Sequence, residues 1–173
     1  MVKCPTFVST RGRNAPSCQI MKFYIGTYNV KVDNKGRLRL PSKLLEQIGD
    51  GGTQLTLYIA RGVGKCLALF TEDEWERTTN KHEKLDLNVV SNLIMVRTFH
   101  RCASKVEPDS ADRISLNPMQ LQTAEIDDEV VIHTYMNRIE IWAKDKFMNN
   151  ENLLADDFGL IQQAALTKTK TDE

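Results

Sequence analysis

The chain has 173 residues, which is enough for one domain or for two small halves that share a core. Hydrophobic residues make up 41% and charged residues 27%, as in ordinary globular proteins, and no apolar run approaches the roughly 20 residues of a membrane-spanning helix. The formal net charge is zero, so the overall charge balance gives no argument for a nucleic-acid partner.

The first twenty residues lack the features of a secretory signal. They contain Lys3, Arg11 and Arg13 but no apolar central segment. Patterned sequence begins at Met21. We therefore interpret residues 1–20 as a disordered tail, or as the product of an upstream start codon.

From residue 21 onward the sequence alternates between strand-like and helix-like patterns. Aliphatic and β-branched residues at alternate positions predict strands, Asn and Gly predict a turn, and Pro followed by apolar residues at helical spacing predicts a helix. In chain order these patterns predict a strand over 22–32, a turn at 34–36, an extended segment over 38–40, a helix over 42–48, and a hairpin of strands 55–59 and 66–70.

Two helices are predicted to follow this hairpin. Thr71 and Glu74 have the spacing of a capping box, which predicts a helix from Glu72 to about Leu85. A second helix is expected over residues 87–100, where apolar residues recur at helical spacing.

The same order of elements then returns. The predicted elements are a strand over 103–107, an extended segment over 114–116, a helix over 118–124, a hairpin of strands 129–135 and 138–142, helices to about residue 166, and a polar tail over 167–173. Each half is thus β-β-α-β-β followed by helices, with too few strands to bury both sheet faces alone. We expect an α+β fold of two interleaved, pseudo-symmetric halves, residues 21–101 and 102–166.

A short motif marks the start of each half. Residues 33–37 read D-N-K-G-R and residues 109–113 read D-S-A-D-R, so both have the form D-x-x-x-R, 76 positions apart. Each copy is followed by an aliphatic-polar-aliphatic step and then by a proline. This ordered agreement indicates an internal duplication.

The spacing of the motif leaves two interpretations open. Asp33 and Arg37 can reach each other across the turn and merely hold its shape, as can Asp109 and Arg113. Alternatively, the stiff turn presents basic side chains to the phosphates and base edges of a nucleic acid. The candidate side chains are Lys35, Arg37, Arg39 and Arg113.

The repeated motif and its flanks resemble those of the MraZ family, over about residues 21–166. Further similarity lies in Leu69-Phe70-x-x-x-x-Trp75, in the strand Ile139-Glu140-Ile141-Trp142, and in Asp156-Asp157-Phe158-Gly159. The resemblance implies a swapped-hairpin, AbrB-like double-wing barrel with additional helices and both motifs on one surface. It also implies a cyclic homo-oligomer.

By this resemblance, the protein is a transcriptional regulator of the cytoplasm and nucleoid that has no cofactor and no catalytic activity. It is expected to bind double-stranded DNA at short direct repeats in the promoter of the division and cell-wall gene cluster, usually as a repressor. The motif positions assign DNA binding to Lys35, Arg37, Arg39 and Arg113. The same positions assign the shaping of the turns to three further residues, Asp33, Gly36 and Asp109.

The second motif departs from the first. Ala111 stands where the first copy has Lys35, and Asp112 stands where it has Gly36. An acid next to Arg113 weakens attraction to phosphate, so we expect the first motif to supply most of the binding free energy.

Other functions remain open at this stage. A ring-forming scaffold for a protein partner and an antitoxin-like protein would use similar folds, whereas no nucleophile–base pair or phosphate loop points to an enzyme. His82, His100 and His133 lack metal-ligand spacing. The cysteines are expected to be free thiols, because no C-x-x-C pair occurs among Cys4, Cys18, Cys66 and Cys102.

Overall fold

The fold combines antiparallel strands with helices, as the α+β prediction requires. The computed structural model describes residues 22–49, 55–155, 158, 161 and 162, so the tails at 1–20 and 167–173 lie outside it. The strands are β1 (Gly26–Lys31), β2 (Arg37–Arg39), β3 (Leu57–Arg61), β4 (Cys66–Thr71), β5 (Ser104–Val106), β6 (Arg113–Ser115), β7 (Glu129–Tyr135) and β8 (Arg138–Ala143). The helices are α1 (Ser42–Ile48), α2 (Glu72–Glu83), α3 (Val90–His100), α4 (Pro118–Ala124) and α5 (Lys144–Ala155).

The strands form two antiparallel sheets. One has six strands in the order β1-β7-β8-β4-β3-β5, and the other is a ribbon of β2 and β6. Among the described residues β1 and β5 remain the two edges of the larger sheet, so the closed barrel expected from sequence is wrong for this structure. Within the described part of the chain β1 pairs with β7 and β5 pairs with β3, and β5 has only three residues with which to pair.

The two halves exchange strands. β1 of the first half pairs with β7 of the second, β5 of the second half pairs with β3 of the first, and β4 and β8 pair at the centre. The strand order is therefore pseudo-symmetric. Replacing each strand by its counterpart in the other half gives the same order, read from the opposite edge of the sheet. Each half thus supplies the partners that the other lacks, which is the physical reason for two small halves to interleave.

The core lies between the six-stranded sheet and the ribbon. Leu38 of β2 and Ile114 of β6 are almost fully buried, and they belong to the same cluster as Ile59, Leu67 and Ile141 of the larger sheet. Because side chains alternate along a strand, burying Leu38 and Ile114 turns their neighbours to the outer face of the ribbon.

Helices α1 and α4 begin and end where the sequence predicts, but the start of α2 differs from the predicted capping box. The helix begins at Glu72 as expected, yet the Thr71 side chain makes no cap hydrogen bond. Glu74 is instead buried and accepts hydrogen bonds from Asn137 Nδ2 at 2.8 Å and from Arg77 Nη1. The side chain of Glu74 is therefore bound by Asn137, 63 positions away, and does not form the predicted local cap with Thr71.

Helix α3 begins at Val90, three residues later than predicted. The backbone N–H of Asn88 donates to Asp86 Oδ1 at 2.9 Å, and the N–H of Val89 donates to the Asp86 carbonyl at 3.2 Å. This local turn competes with the helix for the same backbone groups. In the described part of the chain, no helix is both long and apolar enough to cross a membrane.

One buried polar side chain ties α4 to the connection between the halves. Gln120 is fully buried; its Nε2 donates to the Cys102 carbonyl and to Ser104 Oγ, both at 2.8 Å. Its Oε1 accepts from the Asn117 N–H at 2.9 Å, and Asn117 Oδ1 accepts from the Gln120 N–H, which completes a capping box. Helix α1 has no side-chain cap at the equivalent place.

We expect Gln120→Leu to destabilise the fold by roughly 1–3 kcal/mol, because the buried Cys102 carbonyl and the cap both lose their partner. Urea denaturation followed by circular dichroism measures the change. Gln122→Leu is the matched control, since Gln122 lies exposed on the same helix. Equal stability of the two variants would contradict a structural role for the Gln120 amide.

Candidate nucleic-acid interface

In the first motif a single carboxylate organises the turn. Asp33 Oδ1 accepts the backbone N–H groups of Lys35 and Arg37, both at 2.9 Å. Asp33 Oδ2 accepts Arg37 Nε at 2.8 Å and Nη2 at 2.7 Å. The backbone closes the loop, because the Asp33 N–H donates to the Arg37 carbonyl at 2.8 Å. Asp33 therefore fixes both the loop and the direction of the Arg37 side chain.

The second motif repeats this geometry almost contact for contact. Asp109 Oδ1 accepts the N–H groups of Ala111 at 2.9 Å and Arg113 at 3.0 Å. Asp109 Oδ2 accepts Arg113 Nε at 2.9 Å and Nη2 at 2.8 Å. In both copies the aspartate thus accepts two backbone N–H groups of the turn and the arginine side chain.

The third position after each aspartate adopts a left-handed backbone. Gly36 has φ of 72° and Asp112 has φ of 60°. A Cβ on Gly36 would lie 2.8 Å from the Leu116 carbonyl oxygen, so glycine is required there by contact as well as by conformation. Aspartate tolerates the left-handed region better than most residues, which explains how the second turn keeps its shape.

The ribbon brings the two motifs together. The Leu40 N–H donates to the Asp112 carbonyl and the Leu116 N–H donates to the Gly36 carbonyl, both at 2.8 Å, so each turn is bonded to the strand of the other half. The predicted basic residues of both motifs therefore share the outer face, with exposed Lys35 in the first turn beside it. The register pairs Arg37 with Ser115, Leu38 with Ile114, and Arg39 with Arg113.

Two arginines face each other across the strands at one end of this ribbon. Arg39 lies directly opposite Arg113, a like-charge pair that is unfavourable in a sheet. Asp109 neutralises Arg113, while Arg39 Nη2 reaches Asp112 Oδ2 at 3.4 Å with 71% of its own side chain exposed. Such an exposed ion pair holds its partner weakly. Arg39 is therefore the most available guanidinium of the three.

The clamp leaves part of each motif arginine accessible. Asp33 occupies the Nε–Nη2 edge of Arg37, and a guanidinium has five N–H donors of which this edge supplies two. The Nη1 side remains directed away from the clamp, and Arg37 keeps 33% of its side chain exposed. The structural and the nucleic-acid interpretations of the motif are therefore compatible.

The electrostatics of the clamp keep both aspartates ionised. Hydrogen bonds from the Arg37 side chain and backbone lower the pKa of Asp33 to about 2. Hydrogen bonds from Arg113 lower the pKa of Asp109 to about 2 in the same way, and the pKa of Arg113 is raised by Asp109. The clamps thus hold at neutral pH.

Sequence reasoning missed two members of this surface. Ser115 is exposed opposite Arg37, which alternation along the strand could have indicated. The ion pair between Arg39 and Asp112 joins the two halves and has no local sequence signal.

The remaining candidate groups are the histidines and cysteines. Among the described residues no cluster of ligating side chains could hold a metal. Cys66 and Cys102 are buried free thiols, and burial raises the pKa of Cys66 to about 12. Cys4 and Cys18 lie outside the described residues.

Comparison with known proteins identifies relatives. A family model described as "MraZ protein, putative antitoxin-like" matches residues 23–92, which include the first motif. The protein named transcriptional regulator MraZ in Alkaliphilus metalliredigens is 32% identical to this chain, and the alignment covers 78% of this chain and 92% of that relative. The corresponding protein of Ligilactobacillus salivarius is 34% identical over 72% of this chain and 83% of its own length. In Lactobacillus delbrueckii subsp. bulgaricus the identity is 36%, also over 72% and 83%.

The clamp predicts a specific acid dependence of stability. Since the folded pKa of Asp33, about 2, lies below its unfolded value, its contribution is complete above the unfolded pKa and is lost as the pH falls towards 2. We expect Asp33→Asn to be less stable than the unmodified protein at pH 7, and this difference should shrink on acidification. Thermal unfolding at a series of pH values measures it.

Asp127→Asn serves as the control, because Asp127 is an exposed carboxylate outside both motifs. A stability difference for Asp33→Asn that stays constant down to pH 2 would show that ionisation of Asp33 is not what stabilises the turn.

Proposed function

This chain belongs to the MraZ family of transcriptional regulators, and we propose that it acts by binding promoter DNA through the outer face of the β2–β6 ribbon. The observation that carries the proposal is the duplicated clamp. Two D-x-x-x-R turns with matching hydrogen bonds are joined in one ribbon, which holds three arginines on a single exposed face. A rigid, basic, two-stranded ribbon has dimensions that the major groove accepts.

Each basic residue has a distinct role in this proposal. Arg37 uses its unclamped side to reach base edges, because its clamp fixes the direction of the guanidinium. Lys35, exposed in the first turn, contacts phosphate as a point charge, and Arg39 contacts phosphate from its position opposite Arg113. Arg113 contributes less, since Asp112 adds negative charge to its turn and Ala111 supplies no cation.

We further propose the gene-level role that the family resemblance implies. The protein represses the division and cell-wall gene cluster by binding short direct repeats in its promoter, and it acts in the cytoplasm on the nucleoid. The strand exchange between the halves supports the swapped-hairpin, double-wing arrangement expected of the family.

A cyclic homo-oligomer is also part of the proposal, and helix α3 supports it. None of its residues is buried within the chain, and its exposed apolar side chains include Val90, Ile94 and Met95 at 66%, 58% and 42%. Contact with further copies would remove this surface from water. A ring would also engage several direct repeats at once, which multiplies weak individual contacts.

The two alternative functions, a scaffold and an antitoxin, differ in what the ribbon would bind. A ring-forming scaffold would use the same surface for a protein partner, and an antitoxin-like protein would bind DNA and also capture a toxin. The description of the matching family model includes the second possibility. Loss of DNA binding on removal of Arg37 favours the regulator and the antitoxin over the scaffold.

We expect Arg37→Ala to reduce affinity for the DNA upstream of the protein's own gene far more than affinity for unrelated DNA, because a bidentate base contact contributes roughly 1–3 kcal/mol of discrimination. Lys35→Ala should reduce both affinities together and lower the slope of log affinity against log salt by about 1. Arg113→Ala should cost less than Arg37→Ala. Fluorescence anisotropy across a salt titration measures all three.

Lys105→Ala is the matched control, because Lys105 is an exposed cation in β5, away from the ribbon. If Arg37→Ala binds the upstream DNA as tightly as the unmodified protein at equal salt, the ribbon does not read DNA. The scaffold alternative then becomes the better explanation.

Light scattering tests the assembly. We expect the unmodified protein to have the mass of an oligomer, and Ile94→Asp to shift it towards the monomer, because a charge in an apolar interface loses its water. Met148→Asp, at an exposed apolar position on α5, is the control. A monomeric mass for the unmodified protein would refute the ring.

A further inference from the structure

A cavity of about 730 Å³ lies on the other side of the larger sheet, between α2, α3 and the strands β4 and β8. Its size falls within the range of roughly 300–1,000 Å³ found for small-molecule sites. Much of the wall is apolar and aromatic, with the side chains of Phe70, Met95 and Phe99 among its residues. Phe70 and Phe99 contact each other edge to face, with ring centroids 5.8 Å apart.

Both carboxylates of the cavity wall are already engaged by other donors. Glu74 accepts from Asn137 Nδ2 at 2.8 Å and forms a salt bridge with Arg77. The two oxygens of Glu140 accept from Tyr135 Oη at 2.8 Å and Trp142 Nε1 at 2.9 Å. Glu74 is thus neutralised by Arg77, whereas Glu140 keeps its negative charge among the remaining cations of the wall, because its donors are neutral.

Those cations give the cavity an excess of positive charge. Arg61, Lys81 and Arg138 line it, and within the described part of the chain none of the three forms a salt bridge with a carboxylate. Lys81 and Arg138 are exposed, which places their charges at the rim, whereas Arg61 is half-buried. With Arg77 included, four cations and two acids line the cavity, so an anion at this rim would meet an excess of positive charge.

A buried polar atom of the wall also has no partner. Nδ1 of His82 is enclosed and finds no hydrogen-bond partner among the described residues. The ring packs against Phe99, at a centroid distance of 4.7 Å, and against His100, at 5.6 Å. Because Nδ1 is enclosed, a molecule in the cavity does not contact this atom, and His82 contributes its ring to the aromatic wall.

We propose that this cavity binds a small amphipathic anion. Its apolar, aromatic body packs against Phe70 and Phe99, and its anionic head is held by Lys81 and Arg138. The volume fits one small molecule, and the cationic rim selects the charge. The site shares no residue with the ribbon, so it does not depend on the proposed DNA binding.

The fluorescent anion anilinonaphthalene sulfonate is a suitable probe, and its uncharged relative N-phenylnaphthylamine tests the role of charge. With the full-length protein we expect saturable binding of the anion at one molecule per chain, and clearly weaker binding of the uncharged dye. Lys81→Glu and Arg138→Glu should each weaken binding of the anion by about tenfold, the scale of one lost charge-assisted hydrogen bond. Thr98→Trp, which fills the cavity from α3, should abolish it.

Lys84→Glu is the matched control, because Lys84 is exposed immediately after α2 but does not line the cavity. It should bind the anion as the unmodified protein does, and circular dichroism confirms that each variant is folded. The proposal is overturned if the anion does not bind, or if Thr98→Trp leaves its binding intact. Equal losses for Lys84→Glu and Lys81→Glu would also overturn it, since they would reveal a general charge effect.

Discussion

The arrangement of both motifs depends on the pairing of β2 with β6. This three-residue ribbon buries Leu38 and Ile114 in the core and thereby turns Arg37, Arg39 and Arg113 outward. A shift of register by one residue would place arginines in the core and leucine in water, so burial strongly specifies the register. Because each strand comes from a different half, the exposed basic surface exists only when the two halves are assembled.

The aspartate clamp holds the turn and orients the arginine side chain at the same time. Its carboxylate uses one oxygen for two backbone N–H groups and the other for the arginine side chain, so the loop and the guanidinium are positioned by the same group. The duplicated turns differ mainly in charge, since Gly36 of the first copy is replaced by Asp112 in the second. Duplication has thus preserved the geometry of the turn while changing its electrostatic potential.

The sheet separates the ribbon from the helices α2 and α3. The ribbon lies against one side of the core, whereas those helices pack on β3 and β4 and enclose the cavity beside the exposed apolar side chains of α3. The ribbon therefore shares no residue with the cavity, whereas Met95 of α3 belongs both to the cavity wall and to the exposed apolar side chains of that helix. Glu74 connects α2 to the hairpin of β7 and β8 through Asn137, which links elements of both halves on this side.

The sequence by itself determined the local structure. The bounds of α1 and α4, the turns and the two clamps follow from residues within five positions of one another, since their patterns and hydrogen bonds are local. Tertiary structure decided the strand exchange, the open sheet, the ion pair of Arg39 with Asp112, and the cavity. Glu74 shows why: its local spacing predicted a cap for Thr71, but Asn137, 63 positions away, supplies its partner instead. Such contacts form between surfaces that meet only when the halves interleave. The spacing of neighbouring residues in the sequence does not predict which surfaces these are.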